Sequence, residues 1–202
     1  MQISVNTPQG KFLAMDHKFK AYVAGYGSGK TFIGCVAQCL DFWKYPQINQ
    51  GYFAPTFPQI RDIYYPTIQS CASLCGLRVE IREANKEVHF YDGRKYRGTV
   101  ICRSMQLPQS IVGFKIGNAL VDEIDVMDTN KAEQAWQKII ARMRWENAPN
   151  KVSVTTTPEG YKFIYQRFVM NATKNYGLVQ ASTYDNEANL PDGYIESLAD
   201  TY

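Results

Sequence analysis

Apolar residues fall in short β-rich runs separated by longer stretches of helical period. Lys20–Ala24 (KAYVA) reads as a strand closed by glycines, and Gln50–Ala54 (QGYFA) as a second strand closed by Pro55. Leu77–Ile81 and Glu87–Tyr91 alternate apolar and polar positions, as half-buried strands do. Asp92-Gly93 is a hairpin signal, after which Gly98–Arg103 returns as a strand. Asn118–Val121 (NALV), Lys151–Thr155 and Tyr176–Ala181 complete the strands. Between them, Lys30–Lys44 reads as a buried helix ended by Pro46, and Pro58–Cys75 as a helix with a break at Pro66. Asn130–Arg144 is amphipathic, with Ala132, Ala135, Trp136, Ile139, Ile140 and Met143 on one side, and Tyr161–Met170 reads as a further helix. This alternation predicts an α/β fold with a mainly parallel central sheet, helices on both faces and an added antiparallel hairpin.

The 202 residues suit one domain with a short appendage. Lys plus Arg is 22 and Asp plus Glu is 19, a net +3 that excludes a polybasic tail but not a local basic face. No apolar run approaches the ~18 residues of a membrane span. Met1–Gly10 has no apolar signal core, so no membrane association is expected and the thiols should be reduced. Cys35 with Cys39 and Cys71 with Cys75 repeat a four-residue spacing that raises a zinc site. Cys35 and Cys39 fall in the apolar helical stretch, however, where a thiol acts as a small buried hydrophobe. His17 and His89 suggest no metal site.

The strongest chemical signal is Ala24-Gly25-Tyr26-Gly27-Ser28-Gly29-Lys30-Thr31, set between the first strand and the first helix. Glycines permit positive φ and let backbone N–H groups approach phosphate oxygens, and the helix N-terminus adds partial positive charge. In that frame Gly25, Tyr26, Gly27, Ser28 and Gly29 cradle phosphates. Lys30 neutralises the β- and γ-phosphates during catalysis, and Thr31 holds Mg²⁺. Ala24 departs from the pattern, which has Gly there.

About ninety residues further on, Ala119-Leu-Val-Asp122-Glu123 is an apolar strand ending in two carboxylates. Asp122 suits a Mg²⁺ ligand acting through water, and Glu123 the base that polarises an attacking water. Alone, the pair is what any solvated strand end looks like; downstream of a phosphate loop it reads as hydrolytic. No Asn-Lys-x-Asp guanine motif is present, so ATP is favoured over GTP. Lys151–Pro158 ends in hydroxyls. Beside the acidic strand it would put Thr156 or Thr157 near the γ-phosphate, where a hydroxyl can sense phosphate loss. The amide of Gln9, about fifteen residues before the loop, can pair bidentately with an adenine edge.

Together these residues resemble the N-terminal ATPase domain of the large terminase subunit, the DNA-packaging motor of tailed bacteriophages. The resemblance rests on Pro8-Gln9, Gly25–Thr31, Ala54-Pro-Thr-Phe-Pro-Gln-Ile-Arg61, Val121-Asp-Glu123, Ile139-Ile-Ala-Arg-Met-Arg144 and Thr155-Thr-Thr-Pro158, in that order. It implies a P-loop NTPase of the ASCE (RecA-like) type that hydrolyses ATP with Mg²⁺ and drives double-stranded viral DNA into a procapsid. The implied partners are DNA, bound through its phosphates, a portal protein and a small terminase subunit. The implied assembly is a homo-oligomeric ring, a pentamer, built from a chain that is monomeric alone. The setting would be the host bacterial cytoplasm, transiently at the procapsid portal. The resemblance divides the chain into an ATPase domain, 1–182, and a link, 183–202, toward a nuclease domain for which no room remains, so nuclease activity is not expected.

Two positions depart from the family's pattern. Many members carry Arg where Tyr26 stands, and many carry Arg-Gly where Val112-Gly113 stands, with Lys115 just beyond. The family's arginine finger is therefore not transferred. Arg142 and Arg144, at the end of the amphipathic helix, are candidates to act on a neighbouring subunit, although helix C-termini favour cations in any case. Arg94-Lys95-Tyr96-Arg97, Lys131 and Lys138 are candidate DNA contacts. Two rival readings remain: Asp122-Glu-Ile-Asp125 also fits the DExD box of a helicase motor lobe, and a nucleotide-gated binding module would use the same loop with little turnover.

Overall fold

The structure, a computed structural model, describes residues 3–201; Met1, Gln2 and Tyr202, at the ends of the two expected stretches, lie outside the described residues. Its strands are β1 (Phe19–Ala24), β2 (Ile48–Ala54), β3 (Arg78–Arg82), β4 (Glu87–Asp92), β5 (Lys95–Ser104), β6 (Asn118–Asp122), β7 (Lys151–Thr156) and β8 (Tyr176–Ala181). They form one eight-stranded sheet in the order β3-β4-β5-β2-β6-β7-β1-β8. All neighbours from β5 through β8 pair parallel, and β3 and β4 add antiparallel at the β5 edge. The hairpin at Asp92-Gly93 is thus made of β4 and β5, and β5 also serves as the outermost parallel strand. Insertion of β7 between β1 and β6 separates the phosphate-loop strand from the acidic strand, the arrangement of ASCE, RecA-like NTPases.

Period-two alternation divides the strand residues between two cores. Phe19, Ala21 and Val23 of β1, Phe53 of β2, and Ala119 and Val121 of β6 pack on one face. Tyr22 and Ala24, Tyr52 and Ala54, and Leu120 pack on the other. The first face is covered by α5 (Thr129–Arg142) through Ala132, Ala135, Trp136 and Ile139, with Phe163 and Phe168 beside them. The opposite face is covered by α1 (Thr7–Ala14), α2 (Lys30–Lys44) and α4 (Tyr65–Leu74). All five cysteines are free and buried, and α2 meets α4 where Cys35 nears Cys71 and Cys39 nears Cys75. Among the described residues no group of His, Cys, Asp and Glu could hold a metal ion, and no helix is long and apolar enough to cross a membrane.

Three expected boundaries move, each for a local reason. The expected break at Pro66 is a widening of the helix. After the short α3 (Phe57–Gln59), residues Ile60–Tyr64 form a π-turn in which Tyr65 N donates to Ile60 O. That slack accommodates a proline ring with no N–H in the first turn of α4. The expected helix Tyr161–Met170 ends as a π-turn over Tyr165–Met170. The amphipathic helix starts at Thr129, where the Asp128 carboxylate accepts from the N–H groups of Asn130 and Lys131, and it stops at Arg142. Arg144 lies beyond its end: Arg144 N donates to Ile116 O and Ile116 N to Arg142 O, so the chain is drawn into a bridge with the start of β6.

Helix α2 lies hard against the sheet because of Gly34, where an added Cβ would sit 2.8 Å from Leu120 Cδ1 and 3.2 Å from Thr155 Cγ2. At the N-terminal ends of the strands, Asp41 accepts from Asn118 Nδ2 at 2.7 Å near Lys20, whose Nζ donates to Phe12 O at 3.1 Å. Burial pushes the Asp41 carboxyl up to about 6, against the opposing pull of Lys20 and Asn118. Burial likewise holds the Lys20 ammonium below its ordinary value.

Gly34→Val should destabilise the chain by about 1–3 kcal/mol in urea unfolding, because the clash exceeds any gain in helix propensity; an unchanged midpoint would show that α2 can shift away. Because the folded-state pKa of Asp41 is raised, the protonated form is favoured by folding, and stability declines as pH rises from about 4 through about 6. Asp41→Asn should therefore match the wild type near pH 4 more closely than near pH 7. The variant's relative stability should improve by about 1–3 kcal/mol across that interval, less whatever is lost when Lys20 gives up its counter-charge; parallel stability curves would refute it.

Candidate functional site

The phosphate-loop residues leave β1 at Ala24, which is paired with Ala181 of β8 and buried; this position is the strand's end and needs no glycine. The turn itself does need them, for Gly27 and Gly29 take φ of 71° and 76°. A Cβ on Gly29 would fall 2.7 Å from Gln9 Nε2. Gly29 caps α2 without a side-chain bond, so the first N–H groups of that helix point into the loop. Ser28 Oγ donates to Gly25 O at 2.7 Å, and Lys30 Nζ donates to the same carbonyl at 3.0 Å. Lys30 is 8% exposed and stands 3.6 Å from Glu123 Oε1 and 5.7 Å from the ring centre of Tyr26.

The acidic pair ends β6 one strand away from the loop. Asp122 is 3% exposed and receives three hydroxyl donors: Thr31 at 3.1 Å, Tyr52 at 2.9 Å and Thr155 at 2.7 Å. Burial, then the neighbouring Glu123 charge, pushes its carboxyl up to about 6 against those donors. Glu123 is in the left-handed region, with φ 51° and ψ 39°, a conformation uncommon for a non-glycine residue and concentrated at functional sites. The reversal turns its carboxylate toward β7, where Thr157 N donates at 2.9 Å and Thr157 Oγ1 at 3.2 Å. Thr156 is fully buried; its hydroxyl accepts from Asp125 N and lies 3.5 Å from Glu123 Oε2. The two threonines thus divide the work: Thr157 grips Glu123 and Thr156 ties down the turn after it.

Gln9 lies on the far side of the loop. It is buried in α1 and forms a reciprocal cap with Asn6: Gln9 N donates to Asn6 Oδ1 and Asn6 N to Gln9 Oε1. It lines a cleft of about 210 Å³ with Ser4, Gly29, Phe32, Asn186 and Asn189. The segment expected as a link forms the other wall of this cleft. Thr183 Oγ1 donates to Tyr26 O, Asn186 Nδ2 donates to Gly27 O, both at 2.7 Å, and Leu190 and Tyr194, the latter in α6 (Tyr194–Ala199), face Gly27. Asn186, Asn189, Thr183 and the Asp122 partners Tyr52 and Thr155 were not legible as site residues. Register supplies a signal for Thr155 alone, since it stands directly opposite Asp122.

Other candidates fall elsewhere. Arg142 and Arg144 sit by Ile116, just before the N-terminal end of β6, whereas Asp122 ends that strand; about 20 Å of extended chain separates them. Arg97 is buried, with its guanidinium over Trp43 and donating to the Trp43 carbonyl at 3.1 Å, so it is a packing residue rather than a DNA contact. Arg94, Lys95, Lys131 and Lys138 are exposed. Asp125, the last residue of the DExD-like run, is buried and accepts from the N–H groups of Glu159 and Ile164.

A family model described as the N-terminal part of the terminase large subunit, T4likevirus-type, matches residues 21–202. No curated protein matched. Among solved structures, the large terminase of a thermophilic bacteriophage is similar with a TM-score of 0.81 at 17% identity, over 99% of this chain and 51% of that one. A complex of that terminase with ADP gives 0.80 at 16%, over 98% and 50%. The large-terminase ATPase domain of a Thermus phage gives 0.70 at 18%, over 97% and 88%. The chain therefore spans about half the length of the first of these proteins, and at such identities the likeness shows the shared fold. With the family model covering nearly its whole length, the chain belongs to the terminase large-subunit family, T4likevirus-type, and represents its N-terminal part.

Proposed function

We propose that this chain is the ATP-hydrolysing motor of a viral DNA-packaging machine. The observation that carries the reading is the meeting, at one end of the sheet, of Lys30, the Thr31–Asp122 pair and an oriented Glu123. ADP bound to the similar phage terminase supports the choice of nucleotide. The loop suits a triphosphate, because its positive-φ glycines and the uncapped start of α2 leave backbone N–H donors there. Gln9 and the adjoining cleft would take the adenine.

The donor set also fits Mg²⁺, a hard cation that prefers oxygen ligands. Thr31 Oγ1 and Asp122 would hold it, the latter through water, and when bound it would supply positive charge to the β- and γ-phosphates. The remaining work belongs to the chain. Lys30 exchanges the Gly25 carbonyl for phosphate oxygens. Glu123, held by Thr157, takes a proton from the attacking water. Thr157 and Thr156 carry the resulting change to the turn at Asp125. From their place near Ile116, Arg142 and Arg144 would reach a neighbouring subunit's site rather than their own, which suits a ring, taken to be a pentamer. Double-stranded DNA would be gripped through phosphates by exposed cations such as Lys131 and Lys138. Portal and small-subunit contacts, and action at the procapsid portal in the host cytoplasm, belong to this same reading. The helicase alternative loses its last acid, because Asp125 serves the fold. The gated-module alternative has no use for a base held this firmly.

Glu123→Gln should retain ATP affinity within a few-fold while phosphate release falls at least ~10²-fold; turnover at the wild-type rate would remove Glu123 from the base role. DNA affinity should fall steeply with salt. Four phosphate contacts would give a log–log slope of about −3.6 in a titration, and a flat profile would count against phosphate tracking.

A further inference from the structure

The segment after β2 carries a side chain for which the motor reading has no task. Thr56 and Gln59 form a reciprocal cap: Thr56 N donates to Gln59 Oε1 at 3.0 Å, Thr56 Oγ1 donates to the same oxygen at 3.1 Å, and Gln59 N donates to Thr56 Oγ1 at 3.4 Å. A backbone N–H can only donate, so the amide's orientation is fixed, with its oxygen on Thr56 and its N–H₂ left for other partners. Gln59 lines a cavity of about 50 Å³ shared with Thr31, Tyr52, Asp122 and Glu123, room for one or two waters. The other neutral groups facing it are already committed, since the hydroxyls of Thr31 and Tyr52 both donate to Asp122. The Gln59 amide is the uncommitted donor in a chamber whose acceptors are carboxylates.

Its support is rigid. The π-turn Ile60–Tyr64 lays the Tyr64 ring on that of Tyr52, with centroids 3.5 Å apart and planes 11° from parallel. The Tyr64 hydroxyl donates to Gln38 Oε1 at 2.9 Å inside the core. The same turn thus fixes both the partner of Asp122 and the position of Gln59.

We propose that Gln59 holds the attacking water of ATP hydrolysis, its Nε2–H donating to the water oxygen while Glu123 accepts the water's proton. In that step the water oxygen bonds to the γ-phosphorus, the bond from that phosphorus to the β-bridging oxygen breaks with its electron pair leaving on ADP, and the proton passes to Glu123. The inference rests on the ATPase reading and adds to it the residue that aims the nucleophile.

The test compares affinity for ADP with aluminium fluoride, which mimics the phosphoryl group under attack, with affinity for ATP-γ-S, both with Mg²⁺. It uses the wild type, Gln59→Ala, Gln59→Glu and Thr56→Ala. Glutamate can keep the cap but lacks the donor, so it guards against loss of fold. In both Gln59 variants the ratio of the two affinities should drop about 10²-fold, with kcat falling in parallel and KM within about threefold. Thr56→Ala, which leaves the Thr56 N–H on the amide, should change the ratio little. Equal loss of both ligands, an unchanged ratio in the Gln59 variants, or a Thr56→Ala loss as large as theirs would each overturn the assignment. A wild-type chain that binds neither ligand would overturn the ATPase reading and this inference with it; wild-type binding with an unmoved ratio would overturn the inference alone.

Discussion

A carboxylate buried at the end of a strand can carry charge only if its surroundings donate to it, and the functional end of this molecule is organised around that demand. Asp122 draws one hydroxyl from α2, one from β2 and one from β7. The closeness of α2 to the sheet at Gly34 and the stacking of Tyr64 on Tyr52 become intelligible as means of bringing the three oxygens together. Burial, with the Glu123 charge beside it, still outweighs them and holds the Asp122 carboxyl up at about 6. A cation placed beside Thr31 would complete the compensation.

The chemistry has a direction because the sheet is parallel. Every strand from β5 to β8 delivers its C-terminal end to the same side, so loops far apart in sequence converge there. The opposite side holds different groups. Lys20 and Asp41 lie partly desolvated beneath the start of β6, and Arg142 and Arg144 hang beside Ile116. The chain therefore carries the glycine loop and the acidic pair at one end of the sheet and these cations at the other.

Strands and helices were readable because period-two and helical patterns are strong over five to fifteen residues, and the turn from β1 into α2 because Gly27 and Gly29 supply the positive φ it takes. The acidic pair was readable once the loop was known. Longer-range partnerships were less so. Nothing local in Tyr52 marks it as a donor to residue 122, and a polar tail rich in Asn and Asp gives no sign that Asn186 will settle on Gly27. Arg97 misled because a basic turn looks solvated in sequence, while Trp43 waits fifty-odd residues earlier to cover it. Pro66 misled because a proline in a helical stretch suggests a stop, and a π-turn is a less common way to keep going.

The last twenty residues touch the loop through its own carbonyls, with Thr183 on Tyr26 and Asn186 on Gly27. Those oxygens belong to the same peptide units whose N–H groups would face a phosphate. Any displacement of Thr183 or Asn186 therefore acts directly on the peptide planes of this loop. Thermodynamic reciprocity makes the traffic two-way: any ligand that prefers one tilt of those planes also alters how tightly the tail is tethered.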